Sequence, residues 1–311
     1  MRSDSVHYSN QEELTLLLLS DSSLPVGGFV SSSGLESFIN HGFLASHRTD
    51  LARSDAILKF AFSNAHSYAH LCAAFFYHLH ACVSDSLESP VSQHDQPGVA
   101  PQISPIIEEQ EAQRVALVVS KLNQLFDTMC LSPVNRRNSY AQGAAFLLLY
   151  TKSFSPSHPF TPLETRKSRL ITALKSHIRT ENWAIHYPIS FAFVTSLLQL
   201  SFDRAMYLHI FLHIRSILSA AVRLNVMGPY LSQRMMFKEM GPMMEEICRG
   251  IAGKRLARCD LIECGLSHLH LGPPPSDSSA DQVENGPSSS WPFGEIIQTR
   301  HDSCHVRLFN S

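Results

Sequence analysis

The chain has 311 residues, 44% hydrophobic and 17% charged, enough for one large core or two modest ones. A formal net charge of -2 gives no electrostatic reason to expect nucleic acid or an anionic membrane as a partner. Seven scattered cysteines (Cys72, Cys82, Cys130, Cys248, Cys259, Cys264 and Cys304) read as reduced thiols, no secretory leader precedes "LTLLLL", and no apolar run nears the roughly 18 residues of a membrane span, so a soluble, cytoplasmic protein is expected.

Asn10 can cap a short helix running to Leu19, with Glu12 and Glu13 in its first turn. A loop rich in glycine and hydroxyls, "LPVGGFVSSSGLE", follows at 24–36. Leu35 to Asn40 reads as a helix stopped by His41-Gly42. Residues 50–83 carry apolar periodicity over a length that suggests two helices. Residues 84–105 contain four prolines and few large apolar residues, and read as a surface insert or disordered loop. Helical patterns resume from Ile106 to about Cys130, from Val134 to Tyr150, and, after a polar stretch with three prolines, up to about Arg179.

The clearest amphipathic segment is 202–224. Ile214, Ile217, Leu218, Ala221 and Val222 form one apolar stripe, and Arg215, Ser219 and Arg223 lie on another face. A further helical run covers 230–262, interrupted at Gly241-Pro242. No alternation of apolar and polar residues suggests a sheet, and there is no fixed-period repeat. The predicted fold class is all-α: a single helical bundle of roughly ten helices over 1–270, a flexible linker at 271–290 and a C-terminal tail at 291–311.

The glycine loop invites a phosphate-binding reading, which fails in detail. A phosphate cradle needs G-x-x-x-x-G-K-[ST], so that the lysine meets the phosphates and the hydroxyl holds magnesium. Neither Gly27 nor Gly28 has a glycine five residues on, and no lysine precedes Lys59. A tight turn with close backbone approach is the simpler use of Pro25, Gly27 and Gly28. Ser32 or Ser33 can cap the next helix, which places Glu36 in its first turn, where a carboxylate suits the helix dipole. These local needs leave Phe29 and Val30 unexplained, and a packing surface for a partner is a second reading.

Two histidine pairs, His66/His70 and His209/His213, have the i,i+4 spacing that can grip a metal. Neither has an H-E-x-x-H motif or an obvious third ligand, and structural histidines are the favoured reading. Cys259 and Cys264 lack a second cysteine pair and read as buried thiols. "VSSSG" is not G-x-S-x-G and follows no strand pattern. No catalytic residue, cofactor-binding residue or metal ligand is assigned. Arg215 and Arg223 are more suggestive, because two guanidiniums on one helix face could hold a carboxylate or phosphate; an ordinary surface or an internal salt bridge is the competing account. In the tail, Trp291, Phe293, Ile296, Ile297, Leu308 and Phe309 are costly to leave in water, at roughly 1.5–3 kcal/mol per large side chain. A partner groove, or the chain's own bundle, would relieve that cost.

Five stretches, taken in order, resemble the urease accessory protein F family (UreF). "LLLLSDSSLPVGGFVSSSGLE" is similar to its L-x-D-S-x-x-P-x-G-x-F and G-L-E signature. "NRRNSYAQGAAFL" resembles its arginine, serine and Q-G segment, "HYPISFAF" its H-Y-P motif, "SAAVRLNVMGP" its S-A-A-V-R-L helix end, and "RHDSCHVRLFNS" its R-H-E and R-L-F-x-S ending. The chain departs from that pattern at Ser31, where histidine is common, at Asn225, where glycine is common, at Asp302, in place of glutamate, and at His305, in place of an aromatic.

The resemblance implies an all-α homodimer with a non-enzymatic part in assembling the nickel centre of urease. It implies a scaffold that bridges a UreD/UreH-type accessory protein and the UreG GTPase, delivering nickel to apo-urease. No cofactor is bound by such a chain directly; nickel and GTP are handled by the complex. A regulator of the UreG cycle using Arg215 or Arg223 at the nucleotide is the alternative, and a helical-bundle metal carrier or enzyme is a third. The resemblance also implies a tail ordered on the partner protein, with Arg307 at the family's R-L-F arginine. The candidate partner-binding residues are Gly27, Gly28, Phe29, Glu36, Arg215, Arg223, Arg307, Leu308 and Phe309.

Overall fold

Residues 50 to 88 contain neither glycine nor proline, and they form one continuous helix rather than the two expected. This helix, α3, is the spine of a computed structural model that describes residues 10–47, 49–88, 105–156, 158–159, 161–257, 261–262, 264–266 and 286–310. It runs on into the predicted loop: residues 84–88 are its last turn, with Leu87 buried. The rest of the expected insert before Pro105, most of the expected linker, and Cys259 lie outside the described residues.

The other helices are α1 (Asn10–Leu19), α2 (Leu35–Asn40), α4 (Pro105–Met129), α5 (Pro133–Leu149), α6 (Pro162–Thr180), α7 (Tyr187–Leu197), α8 (Phe202–Arg223), α9 (Pro229–Met235), α10 (Gly241–Ile251) and α11 (Pro292–Thr299). No strand occurs among the described residues, and the all-α expectation holds. Prolines open many of these helices, where the missing N–H has no intrahelical partner to lose. Side chains close other starts: Ser132 accepts the Asn135 N–H, and Thr161 with Glu164 forms a capping box.

The packing order follows apolar content. In α7, every residue from Pro188 to Leu197 is buried, and the helix is wrapped by α3, α5 and α8. On the far side, α4 pairs with α6. α8 has the length and apolar content of a membrane span, but the stripe of Ile210, Ile214, Ile217 and Leu218 is consumed by the core. Val222, placed on that stripe from sequence, is only half-buried. After α8 the chain turns through Asn225 at φ 55, a left-handed conformation that asparagine tolerates and glycine supplies freely. From Pro229 the helical path continues to Ile251, widened into a π turn at Met236–Met240; Gly241-Pro242 opens α10 and does not end the run.

The tail takes the second of its two expected courses and is ordered on its own bundle. α11 lies against α2 and α5. Trp291 and Phe293 complete an aromatic cluster with Phe38, Phe43 and Phe60, at centroid separations of 5.0–5.9 Å. Residues 286–290, assigned to the flexible linker from sequence, are also docked. The Ser288 N–H donates to the His70 carbonyl, and the Ser290 N–H donates to Ser67 Oγ at 3.1 Å.

Candidate functional site

The glycine loop, the end of α8 and the tail meet at one corner of the bundle. The loop begins at Gly27, whose φ of 74 places it in the left-handed region before a single 3-10 turn, Gly28–Val30. It ends at Gly34, with φ 87. A Cβ on Gly34 would lie 2.7 Å from Gln298 Cγ, so this glycine is the close approach that lets α11 sit on α2. Ser32 contributes to the helix start as expected, its Oγ accepting the Glu36 N–H at 3.3 Å.

Glu36 lies in the first turn of α2, as read in the sequence, and has a further use. Its carboxylate is buried in the first turn of α2, where it receives the backbone N–H groups of Leu308 and Phe309 at 2.6 and 3.1 Å. His301 Nε2, also buried, lies 2.9 Å from Glu36 Oε2. Three donors converging on one carboxylate make charge-assisted bonds, the strong kind. The Asn310 N–H extends the seam to the Val30 carbonyl at 2.8 Å.

Arg223 completes the corner. Its guanidinium sits 3.8 Å from the Phe29 ring centroid and 4.3 Å from that of Phe309, clasped between loop and tail. It also donates to the Phe29 carbonyl and, from Nε, to the Ser219 carbonyl. Burial lowers its proton affinity. Phe309 is 3% exposed, whereas Phe29 and Leu308 are each 64% exposed and Val306 77%. Arg307 points away from the corner to Asp302 at 3.3 Å, and Asp302 is also held by Arg137 at 2.7 Å.

The structure thus brings Gly27, Gly28, Phe29, Glu36, Arg223, Leu308 and Phe309 together, with Arg307 on the adjoining turn. Arg215, two helical turns before Arg223, stands apart. It lies half-buried under the loop, and its NH1 donates to the Ser20 carbonyl.

A second polar cluster escaped the sequence reading. Asp127 Oδ1 lies 3.0 Å from His186 Nε2, 3.1 Å from Arg136 Nε, and accepts the Tyr140 hydroxyl. His186 Nδ1 lies 3.1 Å from Ser139 Oγ. Burial presses the His186 pKa down to about 4, against the pull of Asp127. Burial also opposes the Asp127 charge, yet bonds from Tyr140 and His186 and the charge of Arg136 keep its carboxyl below the ordinary range. Ser, His and Asp occur here in sequence of contact, but Ser139 Oγ accepts the Tyr187 N–H at 3.0 Å and so starts α7. Next to it, a Cβ on Gly143 would collide with the Ile185 carbonyl. The "NRRNSYAQG" and "HYP" stretches are therefore two sides of the α5–α7 contact.

The histidine pairs are spent on packing. His209 is fully buried, with Nε2 2.9 Å from the Tyr68 hydroxyl, and His213 Nε2 lies 2.7 Å from Asn64 Oδ1. Burial holds both pKa values down to about 3. His66 and His70 stack at 4.2 Å. Among the described residues no three His, Cys, Asp or Glu side chains are grouped to hold a metal.

The sequence pattern of the UreF family matches residues 51–238. The chain is 32% identical to "Urease accessory protein 6" of Cryptococcus neoformans var. grubii serotype A (strain H99), with 99% of each chain covered. It is 23% identical to the "Uncharacterized urease accessory protein UreF-like" of Schizosaccharomyces pombe (strain 972), over 97% of this chain and 99% of the relative. With the family pattern spanning most of the bundle and the likeness to the Cryptococcus relative running through loop, α8 and tail alike, the chain belongs to the UreF family.

Proposed function

We propose that this chain is a urease accessory protein that works as a non-enzymatic scaffold, bridging a UreD/UreH-type accessory protein and the UreG GTPase so that nickel reaches apo-urease. It acts in the cytoplasm as a homodimer, and leaves nickel and GTP to the other members of the complex. The observation that carries this reading is the seam between loop and tail. Phe29, Val306 and Leu308 stand exposed on a base fixed by Glu36 and Arg223. An apolar patch on a preorganised base suits a protein partner, because little ordering entropy remains to be lost on binding. The scaffold reading is favoured over an arginine acting on the GTPase. Such an arginine must project to the nucleotide, whereas Arg215 is held at Ser20 and Arg223 is clasped by two rings.

The test is size-exclusion chromatography with light scattering, with and without the UreD/UreH-type protein of the same organism. Val306→Asp combined with Leu308→Asp alters only exposed side chains that take no part in the Arg223 clasp, and the fold is expected to survive. The complex should weaken by about tenfold or more, or about 1.4 kcal/mol. Undiminished binding by that double variant removes the loop–tail surface as the contact.

A further inference from the structure

A pocket of about 110 Å³, open to solvent and of mixed polar and apolar lining, lies beneath the glycine loop. The loop contributes Ser31 and Ser33 to its walls, α5 contributes Asn135 and Gln142, and α8 contributes Arg215. Three features of these walls call for an occupant. Arg215 is half-buried, and no described carboxylate lies within ion-pair distance of it. Gln142 is 9% exposed, yet its side-chain amide makes no hydrogen bond to any described residue. The Asn135 side-chain amide is in the same position. A half-buried cation without a counter-ion and two amides without a protein partner face one pocket, where an anion would find donors.

Water can hydrate these groups, and an anion that displaces it gains a charge-assisted pairing with the guanidinium. A pocket of this volume takes an anion of a few heavy atoms. Asp21 also lines the cavity; its carboxylate is held by the N–H and hydroxyl of Ser23 at 2.9 and 2.8 Å. One cation facing one carboxylate leaves no surplus for a dianion, and a monoanion is the better match.

We infer that this cavity is a binding site for a small carboxylate monoanion, whose oxygens accept N–H groups from Arg215 and from the amides of Gln142 and Asn135. A planar carboxylate suits the fork of a guanidinium, and its acceptor-only oxygens suit the amide donors. The site does not rest on the scaffold reading, although Gly28 and Phe29 of the loop also line it.

The experiment is thermal unfolding of the full chain in formate, acetate or inorganic phosphate, with ionic strength held constant by chloride. Formate or acetate should raise the midpoint saturably, by about 5 °C at a hundredfold excess over Kd. Arg215→Gln should lose at least tenfold in affinity, Gln142→Met several-fold, and Arg234→Gln, exposed on α9, nothing. If Arg215→Gln does not fold, Gln142→Met and saturation transfer from the wild-type protein to the acetate methyl group carry the test. The proposal is overturned if chloride alone reproduces the shift, if Arg215→Gln or Gln142→Met responds as wild type does, or if phosphate binds as tightly as acetate. Absence of formate and acetate binding also overturns it, and leaves the Arg215 charge to a carboxylate of a partner protein.

Discussion

Glu36 and Leu308 are 272 residues apart in sequence and 2.6 Å apart across a hydrogen bond. The same carboxylate takes the Phe309 N–H and faces His301, so one side chain near the start of the chain governs how the tail is seated. Glu36→Ala leaves those buried donors without an acceptor, at about 1–3 kcal/mol for each N–H. The expected outcome is local release of 301–310 with the bundle intact. Hydrogen exchange checks this: amides of 306–310 should lose protection while those of α7 keep theirs, and equal loss in both would mean that the tail is part of the global folding unit.

Gly34 should be irreplaceable for two separable reasons. Its φ of 87 costs an L-residue about 1–2 kcal/mol, and a Cβ there meets Gln298 Cγ at 2.7 Å. Gly34→Ala is therefore expected to destabilise by about 2 kcal/mol or more. Adding Gln298→Ala should restore the steric part alone. A double-mutant cycle by urea unfolding measures the coupling, and zero coupling would show that α11 does not press on this glycine in solution.

Arg223 is stacked on Phe29 and Phe309 by a flat, delocalised cation, which lysine cannot reproduce. Arg223→Lys is expected to loosen the loop–tail seam by about 1–2 kcal/mol, although charge is conserved. Limited proteolysis within 300–307 reports it. A lysine variant as resistant as wild type would assign the contact to charge alone.

Acid should unfold the bundle through its histidines. His209 and His213 are held down to about 3, and His186 to about 4, in each case first by burial. The unfolded chain titrates these groups near pH ~6.5, so below that pH it binds more protons than the folded one. Stability is thus full above pH ~6.5 and falls as pH drops, by about 1.4 kcal/mol per pH unit for each such histidine. Urea midpoints between pH 7.5 and 5 measure the slope. His209→Phe removes one titrating group from an aromatic cage, and its acid limb should be shallower by one proton.

Helix-forming periodicity is a local property, and α2, α5, α8 and the end of α6 were legible to within a residue or two. The split assigned within α3 shows the converse. Length alone suggested a break that the absence of glycine and proline did not support. At the candidate site, Arg223 and Phe29 could be singled out as unusual, but not as each other's partners. Glu36 was placed correctly in the first turn of α2, but its second role stayed hidden because a carboxylate there already has a sufficient local explanation. Nothing local signals that its acceptor capacity is used by the backbone of residues 308 and 309. The Asp127–His186 contact was missed for the same reason, since it joins the end of α4 to the start of α7 through burial that only packing creates.

The Glu36 seam also fixes an order of events during synthesis. At roughly 5–20 residues per second, tens of seconds separate the emergence of residue 36 from that of residue 308. Throughout that interval the carboxylate that belongs in the interior has no donor from the tail, and Phe29 has no Phe309 across Arg223. The corner where loop and tail meet is therefore completed only after residue 309 has been made, and a shorter nascent chain cannot form it. The surface proposed here for a partner is then offered only by a chain whose translation has passed residue 309.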